Sequence, residues 1–234
     1  MTRHLLLLAF CQSMFMTNNI TFIAVNGLAG LALAPVGWMA TLPITSYVIG
    51  SALSAPLVAR LQSQWGRKRS FQLGLVMAAV SAGACAYAMS QKNFGLLMLA
   101  TLLAGFYQAN AALYRFAGTE VVEPSYKEKA ISWVLAGGIV GALIGPNLAN
   151  ASVDLLPVRY AGAYLALIGV AAVAFVALSF IQFPPHKAPA PGASSGRPLA
   201  EIARQPTFIV AVAAGALGYG VMNLLMAATP LAMQ

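Results

Sequence analysis

Long apolar runs recur along the chain, separated by short segments that carry most of the charged residues. Each run has about 20 mostly apolar residues, the length that a helix needs to cross roughly 30 Å of hydrocarbon. The runs are rich in Ala, Leu and Gly and lack the alternation of β-strands, so they predict helices and not the strands of a barrel. We place them at Leu5–Val25, Met39–Ala59, Phe71–Met89, Phe94–Tyr114, Ala130–Asn150, Tyr160–Phe183 and Phe208–Ala228.

Composition agrees with spans in a lipid bilayer. Hydrophobic residues make up 60% of the chain and charged residues 8%, whereas a soluble domain has about 45–50% apolar and about 25% charged residues. Arg3 before the first run resembles the start of a signal peptide, but the apolar stretch continues to Val25 and no small-residue cleavage site follows it. We therefore expect an uncleaved first helix and an all-α transmembrane fold.

The distribution of charged residues predicts the orientation of the helices in the membrane. The chain has 13 Lys and Arg against 5 Asp and Glu, a formal charge of +8. The cations lie between the apolar runs, which disfavours nucleic acid as a partner. Eleven of them fall on one side of the membrane, and only Lys92 and Arg159 fall on the other. By the positive-inside rule the N-terminus is cytoplasmic, in a multi-pass protein of the plasma (inner) membrane.

The segment Pro184–Pro206 differs from the runs on either side of it. It is rich in Pro, Gly, Ala and Ser, which is typical of a flexible linker. Leu199, Ile202 and Ala203 could form one short interfacial turn within it. The sequence thus predicts a six-helix bundle over residues 1–183, a cytoplasmic linker over 184–206 and the first helix of a second bundle over 207–234.

Two short motifs occur in the predicted six-helix bundle. Gly66, Arg67, Lys68 and Arg69 follow the second run, and residues 141–147 read GALIGPN in the fifth. Together with six helices before a central loop, they resemble the major facilitator superfamily (MFS). The first looks like the basic end of its loop 2–3 signature, and the second like the glycine-proline motif of its antiporters.

This resemblance implies a transporter half of two inverted three-helix repeats, which carries a small solute by alternating access, with antiport as a possibility. A carrier of this family has twelve helices, so the chain corresponds to one half and the seventh helix. We interpret it as a truncated form, or else as a protein that assembles with a second transporter half. Three positions depart from the family pattern: Ser63 replaces an acidic residue, Ala59 a glycine, and Thr101 an arginine of the fourth helix.

The glycines of the fifth run have a helical spacing. Gly137, Gly141 and Gly145 are four residues apart and share one face, on which another helix can approach closely. Pro146 removes a backbone donor and is expected to bend the helix. The face is either a simple packing groove or a close, bendable contact with a helix of the second half.

The basic motif also has two interpretations. Three cations beside a membrane helix anchor a loop at anionic headgroups, at about 1 kcal/mol for each residue. The family resemblance adds a gating role, in which Glu120 or Glu123 is the partner of Arg67.

Polar residues within the runs are the candidates for a solute site, because polar groups in hydrocarbon are costly. The first and fourth helices are related by the inverted repeat, and their amides fall at inverted depths around the midplane. The alternative is hydrogen bonding between helices, at about 0.6–2 kcal/mol for each contact. The candidate cavity residues are Asn18, Asn19, Gln108, Asn110, Asn147 and Asn223.

The acidic residues lie in loops or at helix ends, and none lies in a predicted membrane core: Glu120, Glu123, Glu128, Asp154 and Glu201. Coupling to a proton or another ion would then depend on residues elsewhere, or the solute moves by facilitated diffusion. An uncharged, amide-lined cavity suits a neutral or amphipathic solute.

The sequence does not indicate an enzyme. The sequence has no metal-ligand spacing, nucleophile elbow or phosphate-binding loop, so we expect no cofactor and no metal. The remaining alternative to a carrier is a non-transporting assembly or regulatory membrane protein on a transporter-like scaffold.

Overall fold

The computed structural model describes residues 3–184 and 199–232, which form helices joined by short turns with no β-strand among them. The chain divides into Met1–Ala188 and Pro189–Gln234, and each unit is described by itself. The helices of the first unit are α1 (Arg3–Leu33), α2 (Leu42–Ser90), α3 (Phe94–Ala111), α4 (Tyr114–Ala117), α5 (Lys127–Ser152) and α6 (Ala161–Ser179). The second unit has α7 (Leu199–Ala203) and α8 (Pro206–Ala232).

Helix α2 combines two of the predicted runs. Its 49 residues would extend about 74 Å at 1.5 Å per residue, more than twice the hydrocarbon thickness. Gly66 divides it into a first limb, residues 42–65, and a second limb, residues 67–90, because its φ of 80° and ψ of 170° are not helical. Only glycine adopts this conformation readily, since it has no Cβ. The two predicted runs are therefore separate limbs, and the break between them is the single residue Gly66.

The all-α membrane prediction is confirmed. Within the described residues, six helical segments are long and apolar enough to cross a bilayer, and one of them carries both limbs of α2. The seven predicted runs thus lie on six segments. The turn at Leu199–Ala203 coincides with α7, whereas residues 185–198 of the predicted linker lie outside the described part of the chain. The predicted domain boundaries stay a prediction.

Helix α1 lies at the centre of the first unit. It packs chiefly against α5 and α6, while α2 packs against α3 and α6. An aromatic cluster fills the core beneath these contacts: the Phe71 ring lies 4.7 Å from that of Tyr114, and the Phe15 ring lies 5.7 Å from that of Tyr107. These edge-to-face contacts between buried rings add stability to that gained by burying their apolar surface.

Candidate functional site

A buried polar network joins α1, the first limb of α2, and α3. The Tyr47 hydroxyl lies 2.9 Å from Asn19 Oδ1 and 2.8 Å from Gln108 Oε1, and all three side chains are buried. A hydroxyl donates one proton, so both contacts are hydrogen bonds only if one amide presents its nitrogen to Tyr47 in place of its oxygen. The structure thus brings together two of the predicted cavity residues, Asn19 and Gln108, around a tyrosine.

Two further candidates are also buried within the first unit. The Ser70 hydroxyl donates to Asn110 Oδ1 at 2.8 Å, so Asn110 connects α3 to the second limb of α2. Asn18 is 5% exposed, and among the described residues no hydrogen bond to its amide is observed. Asn110 therefore forms a hydrogen bond between helices, which was the alternative to a role in the cavity. The amide of Asn18 stays available to bind a solute.

The last two candidates make no hydrogen bond to this network among the described residues. Asn147 is exposed on α5, and its amide nitrogen donates to the Leu143 carbonyl of the same helix at 2.7 Å. Asn223 belongs to α8 in the second unit, where its nitrogen donates to the Tyr219 carbonyl at 2.8 Å. The buried Oδ1 of Asn223 has no hydrogen-bond partner among the described residues. All six residues stay predictions as solute contacts.

The glycine face of α5 contacts α1. A Cβ added at Gly137 or Gly141 would lie closer than 3.0 Å to backbone atoms of Ala9 or Ser13. Thr21 on α1 donates to the Gly145 carbonyl at 2.8 Å, which adds a polar bond to the contact. The glycine spacing correctly predicted that another helix packs closely on this face. That helix is α1 of the same unit, and not a helix of the second half. Helix α5 continues through the exposed Pro146.

The basic motif is held by the rest of the first unit. Arg67 Nε and Nη2 donate to Glu120 Oε1 at 3.0 and 2.9 Å, and Nη1 donates to Gln62. Lys68 Nζ donates to the Ser179 carbonyl at the end of α6 at 2.6 Å. Arg69 is exposed. Of the two acidic partners considered for Arg67, the structure therefore brings Glu120 to it.

A small polar cavity lies beside this ion pair. Its volume is about 430 Å³, and it is lined by Ala59, Gln62, Ser63, Arg67, Leu113 and Glu120. Ser63, which stands where the family has an acidic residue, donates to the Arg60 carbonyl at 2.8 Å. The negative charge near Arg67 is thus supplied by Glu120, after α4, and not by the motif itself.

Two tyrosines were missed by the analysis of the sequence. Tyr47 holds the network described above, and the Tyr164 hydroxyl of α6 donates to Asn26 Oδ1 of α1 at 2.9 Å. Both are buried. A tyrosine well inside an apolar run is a usable signal, because a buried hydroxyl generally requires a partner.

A bundle of apolar helices, with uncharged polar side chains buried within it and a basic turn at Gly66, is that of a multi-pass membrane protein. The model of the Major Facilitator Superfamily matches residues 5–234, and the chain belongs to this family. Membership in this family favours solute transport over enzyme chemistry.

Similar proteins agree with this assignment. The riboflavin transporter RfnT of Brucella anthropi is 34% identical over 233 residues, which are 99% of this chain and 58% of RfnT. Two uncharacterized MFS-type transporters of Bacillus subtilis match about half of the chain: YddS at 28% identity over 112 residues and YdeG at 30% over 115. These matches cover 26% and 27% of the two relatives. The chain thus spans little more than half the length of RfnT.

Proposed function

We propose that this protein carries riboflavin or a closely similar uncharged heteroaromatic solute across the membrane by alternating access. The observation that carries the proposal is the match to a riboflavin transporter along 99% of this chain. Riboflavin combines a flat ring system, whose pyrimidine edge donates and accepts hydrogen bonds, with a chain of hydroxyl groups. It is neutral but strongly polar.

The chemistry of the first unit suits such a solute. Among the described residues, the buried polar side chains are amides and hydroxyls, and no Asp, Glu, Lys, Arg or His is buried with them. Amides can both donate to and accept from a pyrimidine edge. A phosphorylated flavin would instead require buried cations, because a charge in a site of low dielectric is costly unless it is paired.

Within this site we assign different roles to neighbouring residues. Tyr47, Asn19 and Gln108 satisfy one another and hold α1, α2 and α3 in position. Asn18, next to Asn19 in the sequence, is buried and makes no observed hydrogen bond within the described part of the chain, and it is the residue proposed to bind the solute. Asn110, Asn147 and Asn223 stay candidates for a cavity that includes the second half of the carrier.

The cycle that we propose keeps the predicted orientation. The N-terminus and the Gly66 turn lie on the cytoplasmic side of a plasma membrane, a second six-helix half completes the cavity, and the ion pair of Arg67 and Glu120 acts in gating. Exchange of the solute for another solute or ion, as in antiport, is part of the same proposal.

Equilibrium binding tests the proposal. Riboflavin is fluorescent, and its emission is expected to change saturably when it is titrated with the purified protein in detergent. Asn18→Leu keeps the number and branching of the side-chain heavy atoms but removes the amide, so we expect binding about tenfold weaker, equivalent to about 1.4 kcal/mol. The matched control is Asn150→Leu, at the exposed end of α5, which should bind as the wild type does. Equal affinity of the Asn18→Leu variant, or no saturable binding by folded protein, would contradict the proposal.

A further inference from the structure

A second cavity in the first unit has no role in the function described so far. It is an open groove of about 460 Å³ between the two limbs of α2 and α3. Its lining, which includes Gly50, Leu57, Leu61, Leu73 and Leu103, is apolar except for the Ser54 hydroxyl. Its volume falls in the range of ligand pockets, about 300–1,000 Å³.

The length of the groove matches one leaflet of a bilayer. Along the first limb of α2 it extends from Gly50 to Leu61, which is about 16 Å at 1.5 Å per residue. The hydrocarbon core is roughly 30 Å thick, so the groove covers about half of it. A transmembrane helix of a second half would need a groove along the full thickness, whereas an acyl chain occupies one leaflet.

Cations continue the groove at the end where α2 bends. On the second limb, Arg69, Leu73 and Met77 are four residues apart and share one helix face. On the first limb, Arg60 is three residues after Leu57 and adjacent to Leu61. An apolar slot thus ends at two arginines, the arrangement that complements an amphiphile with an anionic headgroup.

These two arginines differ from the other cations of the turn. Arg67 is bound to Glu120 and Gln62, and Lys68 to the Ser179 carbonyl. Arg60 and Arg69 are exposed, and neither belongs to the ion pairs observed in the described part of the chain. Their guanidinium groups therefore remain available to a phosphate, which arginine binds with paired hydrogen bonds.

We propose that this groove binds one anionic phospholipid, with an acyl chain against Leu57 and Leu103 and its phosphate at Arg60 and Arg69. This lipid site is separate from the solute site at Asn18. It differs from general attraction of a basic loop to headgroups, because it requires a slot and two particular cations.

Native mass spectrometry of the whole chain tests the headgroup. The purified protein is titrated with phosphatidylglycerol or phosphatidylcholine of identical acyl chains. We expect one phosphatidylglycerol to be retained in preference to phosphatidylcholine. The double variant Arg60→Gln/Arg69→Gln should bind it roughly 30-fold more weakly, because each of the two cations contributes about a fivefold increase in affinity. The control Lys127→Gln/Lys129→Gln removes the same charge from an exposed site elsewhere and should keep the bound lipid. Equal retention of both lipids, or equal losses in both variants, would overturn the proposal.

Chemical labelling tests the acyl chain. Leu57 is 51% exposed and Val140 on α5 is 53% exposed, and both native cysteines are buried. A Leu57→Cys variant in phosphatidylglycerol nanodiscs should react with a membrane-soluble maleimide severalfold more slowly than in phosphatidylcholine nanodiscs, while Val140→Cys reacts equally in both. Slow labelling of Leu57→Cys in both lipids would instead indicate that protein covers the groove, and labelling that is equally fast in both would exclude a bound chain.

Discussion

At the scale of single residues, the environment of Arg67 determines what the basic motif can do. Its guanidinium binds Glu120 and Gln62, which lie on different segments of the first unit. The side chains of Arg67 and Glu120 are 27% and 37% exposed, so solvent screens the pair and its contribution to stability is about 0–1 kcal/mol. The proposed role in gating must therefore be measured as a transport rate and not as a melting temperature.

Exchange of the two charges tests this role. Arg67→Glu and Glu120→Arg alone each replace this pair of opposite charges, 2.9 Å apart in the native protein, by like charges and should each slow riboflavin uptake severalfold. The double variant restores an attractive pair, so uptake should recover in large part. The control is Arg67→Glu with Glu123→Arg, which makes the same exchange with the acidic residue that does not bind Arg67, and no recovery is expected. Equal recovery in both double variants would contradict the assignment.

The sequence could not choose between Glu120 and Glu123. They are three residues apart in a segment that folds as two short 3-10 turns, Gly118–Glu120 and Pro124–Tyr126. The direction of each carboxylate depends on these turns and on the packing of α4, and neither has a periodic pattern. The Asn19–Tyr47–Gln108 network was accessible only in part for a similar reason, because polar residues in separate runs do not reveal which of them meet.

At the scale of helices, the packing of α5 against α1 is the contact that glycine makes possible. Backbone atoms of α1 lie where a side chain at Gly137 or Gly141 would begin. Lipid tails provide no hydrophobic drive between helices, so such close contacts, together with bonds like Thr21 to Gly145, hold the pair together. The spacing of the glycines predicted the close approach but not the partner, because any helix with small or flexible side chains could fill such a face.

A single added methyl group tests this contact. Gly141→Ala forces α1 and α5 apart, and overpacking of this kind costs about 1–3 kcal/mol. We expect a clear decrease in the midpoint of thermal unfolding in detergent. Gly169→Ala on α6 is the matched control, because no atom lies within 4 Å of its added Cβ, and it should be neutral or slightly stabilising. Equal midpoints for the two variants would mean that α1 and α5 are not in this contact.

At the scale of the whole molecule, hydropathy was sufficient to predict the architecture. The chain has long apolar runs and only 8% charged residues. In lipid such runs are stable as helices, because a helix forms all its backbone hydrogen bonds within itself. The continuity of α2 could not be predicted, because a single glycine makes the break and the charged residues around it are good helix formers. Orientation stays a prediction that rests on the distribution of Lys and Arg.

We propose that this protein carries an uncharged, polar flavin and not a charged one. The most direct measurement compares initial uptake rates of riboflavin and its 5′-phosphate into vesicles that contain the folded protein, with protein-free vesicles as the baseline. We expect saturable riboflavin uptake and a rate for the phosphate ester at least about tenfold lower, because the buried polar groups of the described residues are uncharged. Equal rates for the two flavins, or riboflavin uptake no faster than in protein-free vesicles, would contradict it.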